Sequence, residues 1–451
     1  MREKTAVAVL GGAMLLVLLA MLLAGRLAPE RTLDTDGYLL FGPLVDSLSA
    51  IRSPLYGWWL FAATFGTLDF TLVPALHTLL FFAAVLVLFS ALRALEVSPA
   101  AALAVTLPLV FSNLLLRWNR AIHPEVPAGA LFLLAVAFLL RMAAQPRCRT
   151  SLLGFALALG GACLLRPVFL PAMVLLPLAF LVLGKFRDRP RVWAATAAVL
   201  LAGALPLVAV STLRLALVGD FHVVSFGGFQ MSGLATQILT PDIARRLPAD
   251  VRPLAERVLA RREQAIAEGK VLAIPRNSRH KRSYLSVALQ YFDCFARNYN
   301  YLLYEVNEGL REPGEGQVRF NRRMQRYALA VVAHAPREYA AWIVGAATRS
   351  AGHMTVTNLP FLVLLACVAM ACPIAALRRR HRARNRPPSI PAEPPDRDAL
   401  PVVVVTIAYT LSAGLLMIVA SSPEMRYIET AGLLLPALPG LALVRMLRGR
   451  A

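Results

Sequence analysis

The chain has 451 residues, of which 58% are hydrophobic and 16% charged, and its mean hydropathy is +0.60. This composition lies outside the usual range of soluble globular domains and excludes a chain that is mostly in water. A formal net charge of +21 would suggest a nucleic-acid partner in a soluble protein. Here the basic residues lie between apolar segments, which indicates a membrane and no nucleic acid.

Apolar segments recur along the chain, and about 20 apolar helical residues are enough to cross a bilayer core. The first segment follows Met1 to Lys4 and is longer than a signal-peptide core, so we expect an uncleaved span. The ten predicted spans are 5–24, 71–92, 98–115, 126–141, 151–165, 168–184, 192–213, 356–377, 400–420 and 428–444. The sequence therefore predicts an all-α polytopic membrane protein with about ten transmembrane helices.

Only Arg166-Pro167 separates the short segments 151–165 and 168–184. Proline disrupts helical hydrogen bonding, so we predict a turn between two spans there, and nine spans is the alternative. With ten spans, twenty Lys and Arg residues fall in the loops on one side and seven in the short loops opposite. The positive-inside rule then predicts a plasma (inner) membrane protein with both termini in the cytoplasm.

Three regions follow from the spacing of these spans. They are an N-terminal membrane domain 1–214 with a first extracytoplasmic loop 25–70, an extracytoplasmic helical insert 215–355, and C-terminal membrane helices 356–451. Within the insert, helical periodicity predicts helices over 248–268 and 319–342. The glycine pair in 226–229 lacks the lysine and context of a nucleotide-binding loop. No internal repeat is evident, which disfavours the inverted repeats of many transporters.

Ionisable residues at the ends of spans are costly in a membrane and are therefore functional candidates. Asp34 and Asp36 lie one residue apart in the first loop. Two such carboxylates can hold a divalent cation, or one can act as a general base beside its ionised partner. A solvated turn at Gly37 is the alternative. The one cofactor that the sequence suggests is a divalent cation on Asp34, Asp36 and Glu125.

Three arginines are candidates for binding phosphate, because a planar guanidinium group pairs with two phosphate oxygens at once. Arg52 lies in an aromatic loop, Arg166 interrupts two apolar runs, and Arg426 lies in the short loop before the last predicted span. Arg52 can instead extend to lipid headgroups, and Arg426 can pair with Glu424 or Glu429.

Glu125 stands at the start of the fourth predicted span, preceded by His123. A carboxylate at that depth requires a partner, which we expect to be a metal, a substrate hydroxyl, or one of Arg117 and Arg120. His123 is more often an ordinary polar loop residue, and its functional interpretation is to position substrate or metal. Carboxylates and arginines on one side, beneath an aromatic belt, fit a substrate with an anionic head at the interface and a tail in the bilayer.

This arrangement resembles the GT-C superfamily of membrane glycosyltransferases, within it the type of the dolichyl-phosphate-mannose-protein mannosyltransferases and aminoarabinose transferases. The matching elements are the first-loop acid and aromatic from Asp34 to Tyr38, the segment Arg52 to Tyr56, Glu125, Arg166-Pro167, and Glu424 to Tyr427. They follow one another through the whole membrane part in family-like order.

The resemblance implies inverting transfer of a sugar from a polyprenyl-phosphate-linked donor to an extracytoplasmic glycan, lipid or protein. It implies Asp34 or Asp36 as the catalytic base and Arg52, Arg166 and Arg426 as ligands of the donor phosphate. Substrate-positioning roles fall to Glu125, His123, Tyr38 and Tyr56. The family commonly has adjacent Asp-Glu where this chain has Asp34-Thr35-Asp36, which leaves the identity of the base open.

Two alternatives remain on the sequence alone. A transporter or flippase of an anionic lipid-linked substrate would use the same arginines without needing the two aspartates. A lipid-linked glycan polymerase or ligase would also use arginines on the extracytoplasmic side. The sugar and the acceptor are not specified by the residues.

Overall fold

The computed structural model describes residues 1–32, 34–39, 44–145, 148–186, 191–273, 283–385, 399–420 and 424–448. Over these ranges the regular structure is helical, and the only strand-like contact among the described residues is an isolated parallel bridge between Glu30 and Ala121. The all-α class predicted from composition is confirmed.

Ten α-helices precede the insert. They are α1 Glu3–Leu23, α2 Leu44–Ser49, α3 Pro54–Ala63, α4 Val73–Ala94, α5 Pro99–Val110, α6 Asn113–Trp118, α7 Glu125–Ala144, α8 Arg149–Leu165, α9 Ala172–Phe186 and α10 Val192–Val218. Single 3-10 turns lie at Asp36–Tyr38, Phe70–Leu72 and Pro167–Phe169.

Six α-helices form the insert and four follow it. The insert contains α11 Gly227–Ile238, α12 Pro241–Arg246, α13 Arg252–Ala267, α14 Tyr284–Asn300, α15 Gln317–His334 and α16 Pro336–Val356, with a π-helix Tyr301–Asn307 and a 3-10 turn Glu308–Leu310 after α14. The last four are α17 Leu359–Asn385, α18 Ala399–Ala420, α19 Met425–Ala431 and α20 Ala437–Arg448.

Seven helices in the described ranges are long and apolar enough to cross a membrane. They are Glu3–Leu23, Phe70–Ala94, Pro99–Trp118, Glu125–Ala144, Pro167–Lys185, Val192–Val218 and Ala399–Ala420. An eighth is reached if α16 and α17, which meet at a 71° bend, form one broken span. Seven of the predicted segments are thus confirmed as helices long and apolar enough to span a membrane, and the count of ten stays a prediction.

Two predicted spans differ from the helices found. The segment 356–377 is preceded by the bend, so its helix begins only at Leu359. The segment 428–444 is divided between α19 and α20, with turns over 432–436. Pro436 immediately precedes α20, where it cannot donate a backbone hydrogen bond that would continue α19.

The predicted break at Arg166-Pro167 is confirmed. Helix α8 ends at Leu165, Arg166 is extended with φ −141° and ψ 100°, and α9 begins after a short 3-10 turn. The ring of a proline disfavours the helical conformation of the residue before it, which explains the extended Arg166. Because of the break, Arg166 lies outside the apolar helix α8, in the extended residue that follows its last turn.

One large apolar core joins α1, α4, α5, α7 to α10 and α18. Close approaches use small residues, as where a Cβ on Gly160 of α8 would lie 2.7 Å from Pro206 of α10. The outward faces remain apolar, with Leu157 and Leu201 mostly exposed. Exposed leucines on long apolar helices are suited to contact with lipid.

The insert has a core of its own, centred on the fully buried Trp342 with Phe292 and Phe295. The predicted helix 248–268 corresponds to α13. The helical structure predicted over 319–342 is found as two helices, because Pro336 starts α16 after α15. Of the two glycines in 226–229, Gly228 serves packing, since a Cβ there would lie 2.4 Å from the carbonyl oxygen of Asn321.

The insert is attached to the membrane helices by hydrogen bonds at two places. Trp342 Nε1 and the Tyr339 hydroxyl each donate over 2.9 Å to carbonyls of Ile418 and Val419 near the end of α18. The last carbonyls of a helix have no partner within it, so these bonds satisfy orphan acceptors. The insert therefore lies at the end of α18 that leads to Arg426.

The second attachment is made by Arg214 near the end of α10, and this arginine is 1% exposed. Its guanidinium group donates to the carbonyl of Leu48 in α2, to Asp220 over 3.1 Å and to Ser225 over 2.6 Å. One buried cation thus ties the first loop to the start of the insert, and both lie at the same end of the helices.

Candidate functional site

A cluster of charged and aromatic side chains forms at one end of the membrane helices, where α8, α10 and α18 end and α7 begins. We call it the arginine–carboxylate cluster and define it by Asp34, Arg52, Glu125, Arg166 and Arg426. Asp34 and Arg52 come from the first loop and the other three from separate parts of the chain, and Asp34 and Arg426 are in contact although 392 positions separate them. The sequence predicts that these ionisable residues lie on one side, and in the structure their side chains contact one another.

Asp34 bridges two of the arginines. Its Oδ1 lies 2.5 Å from Nη2 of Arg52 and its Oδ2 lies 2.6 Å from Nη1 of Arg426. Burial acts to raise the pKa of Asp34, but the charges of Arg52 and Arg426 outweigh it and lower that pKa to about 2. The carboxylate is therefore ionised at neutral pH, and its ion pairs lose strength only as the pH falls toward 2.

Glu125 is the most deeply buried acid of the cluster, with a side chain 2% exposed. It accepts a hydrogen bond from Nη2 of Arg166, and Nε of Arg426 lies 3.5 Å from the same carboxylate oxygen. Arg166 also donates to the hydroxyl of Tyr427 over 3.2 Å. Because Arg426 reaches both Asp34 and Glu125, the two ion pairs form one connected network.

Tyr38 and His123 border the cluster. The Tyr38 hydroxyl accepts from Nη1 of Arg52 over 2.8 Å, and its ring packs against the same guanidinium group. His123 is hydrogen-bonded to the hydroxyl of Thr32 and lies 3.6 Å from Glu125. Burial lowers the pKa of His123, aided by the nearby arginines and opposed by Glu125, so the imidazole is neutral at pH 7.

Tyr56 and Asp36 lie outside the immediate contacts. Tyr56 is fully buried behind Tyr38, stacked on Trp59, with its hydroxyl 3.4 Å from His77. That position suits support of Tyr38 better than contact with substrate. Asp36 is exposed, and among the described residues its side chain has no ion pair or hydrogen bond. The geometry favours Asp34 over Asp36 as the reactive carboxylate.

Arg117 and Arg120 are not the partners of Glu125. Arg117 lies 3.4 Å from Glu429, which also accepts from Trp118 over 2.5 Å, and Arg120 pairs with Glu30. These contacts correct the expectation from sequence proximity. Arg166 takes the place of both because the break after α8 brings it beside the start of α7. Arg426 does pair with Glu424, as one alternative expected, but it binds Asp34 as well.

The cation expected on Asp34, Asp36 and Glu125 receives no support from this geometry. Over the residues that the structure describes, no group of three or more His, Cys, Asp or Glu side chains is placed to hold a metal ion. Asp34 and Glu125 already face guanidinium groups, whose positive charge opposes a second cation in the same place. As arranged, these residues do not fit a resident metal, and metal dependence stays a prediction.

Comparison of the chain with family models, with curated proteins and with solved structures finds no match.

The arginines retain hydrogen-bonding capacity inside the cluster. Nε of Arg166 and Nε of Arg426 are buried and, within the described part of the chain, have no hydrogen-bond acceptor. Buried donors of this kind normally have a partner in a native protein. Three guanidinium groups, two of them with a buried Nε–H that makes no hydrogen bond to the described residues, suit an anion with several acceptor oxygens.

Two members of this site were not candidates in their own right from sequence. Tyr427 appeared only as the end of a motif, yet it contacts Arg166 by hydrogen bond and ring. Thr32 holds His123 through its hydroxyl. A tyrosine beside an arginine and a threonine near an acidic loop are both too common in sequence to signal a site before the chain is folded.

Proposed function

We propose that this protein is a polyprenyl-phosphate-sugar-dependent glycosyltransferase of the GT-C type. One observation carries the proposal: Asp34 is held between Arg52 and Arg426 in a partly buried cluster at the end of apolar helices. Such a site combines a carboxylate for deprotonating a hydroxyl with guanidinium groups for a phosphate. Its position at the helix ends suits a substrate whose tail lies in the bilayer.

In the proposed reaction, Arg52, Arg166 and Arg426 bind the phosphate of the donor lipid. Asp34 takes the proton of an acceptor hydroxyl while the acceptor oxygen attacks the anomeric carbon. The bond between that carbon and the phosphate oxygen breaks, and polyprenyl phosphate departs with its electron pair. The arginines stabilise the negative charge that develops on the leaving phosphate. Attack opposite the leaving group inverts the anomeric configuration.

We further propose the topology that this chemistry needs. The two shorter apolar helices, Arg149–Leu165 and Ala437–Leu447, complete ten spans together with α17, the second helix of the bent pair. Both termini then lie in the cytoplasm of a plasma (inner) membrane, by the positive-inside rule. The cluster and the insert 215–355 lie on the extracytoplasmic side, where the acceptor, a glycan, lipid or protein, is expected.

Two experiments in sequence test the function. Deletion of the gene should leave one glycoconjugate of the cell envelope short of a sugar, identified by mass spectrometry. That truncated conjugate is then incubated with the purified full-length chain in lipid nanodiscs and a panel of labelled undecaprenyl-phosphate hexoses and pentoses. We expect one label to move to the conjugate with wild-type protein and not with Arg52→Gln.

The rival functions give different products. Movement of intact lipid-linked sugar across a vesicle membrane without covalent transfer would establish a flippase and overturn the proposal. Addition of many sugars to one acceptor would establish a polymerase. If the Arg52→Gln variant still transfers sugar, the protein is a glycosyltransferase but Arg52 is not part of its active site.

Gly37 offers a steric test of the Asp34–Arg52 geometry. A Cβ added at Gly37 would lie 2.8 Å from Nε of Arg52, in the middle of that side chain. We expect Gly37→Ala to move the guanidinium group off Asp34 and to slow transfer about tenfold, the effect of weakening one charged hydrogen bond. Initial-rate measurements in nanodiscs provide the readout.

The matched control is Gly352→Ala in α16, where no heavy atom lies within 4 Å of the added Cβ. Its transfer rate should equal that of the wild type. Equal rates for Gly37→Ala and wild type would mean that the position of Arg52 is not critical to the reaction.

A further inference from the structure

Helix α15 of the insert carries four arginines and no acidic residue. Three of them, Arg319, Arg322 and Arg326, recur at spacings of three and four positions, which places them on one face of the helix, and all three are exposed. Leu329 continues this face and is 51% exposed. We call these four residues the basic face of α15. The opposite face packs in the core of the insert, so the basic face is directed outward.

Hydrogen bonds hold α15 against the end of α10. Arg322 donates over 2.8 Å to the carbonyl of Gly219, the residue directly after α10. Gln317, at the start of α15, donates over 2.8 Å to the carbonyl of Ser225 in the segment that follows. Direct contacts therefore place the basic face beside the end of this long apolar helix.

The end of α10 has an exposed apolar surface. Leu213, Leu217 and Phe221 are 43%, 41% and 52% exposed. Helix α10 is long and apolar enough to cross a membrane, so these side chains suit contact with lipid. An exposed aromatic side chain just beyond such a helix is typical of the level of the lipid headgroups. Arg322, bound to Gly219, therefore lies where the apolar surface ends and the headgroups begin.

The charge of the basic face is not neutralised by the described part of the chain. Arg322 lies 3.9 Å from Asp220, but that carboxylate is buried and already pairs with Arg214. Arg319 and Arg326 form no ion pair with the described residues. An anion from outside the chain is therefore the partner whose charge matches this face.

We infer that the basic face of α15 binds the phosphates of anionic phospholipid headgroups at the surface of the membrane that α10 crosses. A guanidinium group pairs with two phosphate oxygens at once, and arginines near an anionic membrane surface are attracted to it. Leu329, on the same face, adds an apolar side chain that can enter the boundary between headgroups and acyl chains. This contact anchors the insert to the membrane, and it is independent of the proposed reaction at the arginine–carboxylate cluster.

The test measures how fast α15 exchanges its amide hydrogens in two membranes. Hydrogen–deuterium exchange of Gln317–His334 is followed by mass spectrometry on the full-length chain. One sample is in nanodiscs of phosphatidylcholine, the other in nanodiscs of an equal mixture of phosphatidylcholine and phosphatidylglycerol. We expect the anionic lipid to slow exchange about fivefold or more, since one arginine at an anionic surface already contributes that factor. High salt should reduce the difference by screening.

Variants separate charge from structure. Arg319→Gln combined with Arg326→Gln should remove most of the slowing, and it leaves the bond from Arg322 to Gly219 that holds the helix in place. Lysine at the same two positions should keep the slowing, because the charge remains. Arg257→Gln is the matched control, since Arg257 is an exposed arginine of α13, which packs on α11 and α12 within the insert. It should respond to the anionic lipid as the wild type does.

Three results would overturn the inference. The first is equal exchange of wild-type α15 in both nanodiscs, or slowing that persists in the double glutamine variant. The second is an equal slowing of Arg252–Ala267, because the lipid would then stabilise the insert as a whole. The third is that glycerol phosphate added to phosphatidylcholine nanodiscs slows α15 as much as the anionic lipid does, because the face would then bind a soluble phosphate and not the membrane.

Discussion

Replacing Asp34 with asparagine is expected to slow sugar transfer by about 100-fold or more and, at the same time, to tighten binding of the donor phosphate. Each carboxylate oxygen of Asp34 forms an ion pair with a guanidinium group: Oδ1 lies 2.5 Å from Nη2 of Arg52, and Oδ2 lies 2.6 Å from Nη1 of Arg426. A donor phosphate must compete with this carboxylate for the same cations. The neutral amide of asparagine competes far less, so the arginines become available to the phosphate.

The expected sizes of the two effects differ. Loss of a general base slows transfer by about 100-fold to 10,000-fold. Loss of a competing charged hydrogen bond should raise affinity for undecaprenyl phosphate about tenfold, equivalent to about 1.4 kcal/mol. Transfer is measured as label moved from donor to acceptor, and affinity by equilibrium binding of the bare lipid to the same nanodisc preparation.

The competition between Asp34 and the donor phosphate for the arginines also explains how Asp34 can act as a base. With a pKa of about 2, the carboxylate between its two arginines is a weak base toward a hydroxyl. When the phosphate takes over the guanidinium groups, their hold on Asp34 weakens and its basicity increases. Binding of the donor phosphate would thus make Asp34 a stronger base toward the acceptor hydroxyl.

Asp36→Asn is the control, because Asp36 is exposed and only two positions away. Transfer and binding should both remain at wild-type levels. If Asp36→Asn abolishes transfer and Asp34→Asn does not, Asp36 is the base and the folded cluster has been misassigned. If Asp34→Asn weakens lipid binding, the carboxylate supports the phosphate site and does not compete for it.

The sequence predicted the class of the fold because the length of an apolar run is a direct measure of a membrane span. Seven segments were recovered in this way, among them Glu3–Leu23 and Ala399–Ala420. It also predicted the break at Arg166-Pro167, since proline acts locally on the residue before it. The bend between α16 and α17 has no comparable local signal, so the segment 356–377 looked like a simple span.

Membership of the site was predictable, but pairing within it was not. Charged residues at span ends are costly, and that cost identified Asp34, Arg52, Glu125, Arg166 and Arg426. Which acid meets which base depends on how the helix ends pack, which sequence distance does not report. Arg117 and Arg120 are near Glu125 along the chain, yet Glu125 pairs with Arg166, 41 positions away.

Arg166→Met is expected to lower both the stability of the protein and its transfer activity, and a second substitution should separate the two losses. The change leaves the carboxylate of Glu125, only 2% exposed, without its main partner. Breaking a buried ion pair in this way costs about 3–5 kcal/mol of folding free energy. Removing one guanidinium group from the departing phosphate should slow transfer about 100-fold or more.

The double variant Glu125→Gln with Arg166→Met removes both buried charges, so the free energy of unfolding in mild detergent should return most of the way to the wild type. Transfer should remain low, because the guanidinium group is still missing. Arg349→Met is the control, since Arg349 and Asp293 form a half-exposed ion pair whose loss costs little. Recovery of transfer in the double variant would mean that Arg166 serves only to neutralise Glu125. Loss of transfer without recovery of stability would mean that Glu125 needs its negative charge for folding, through Arg426 as well as Arg166.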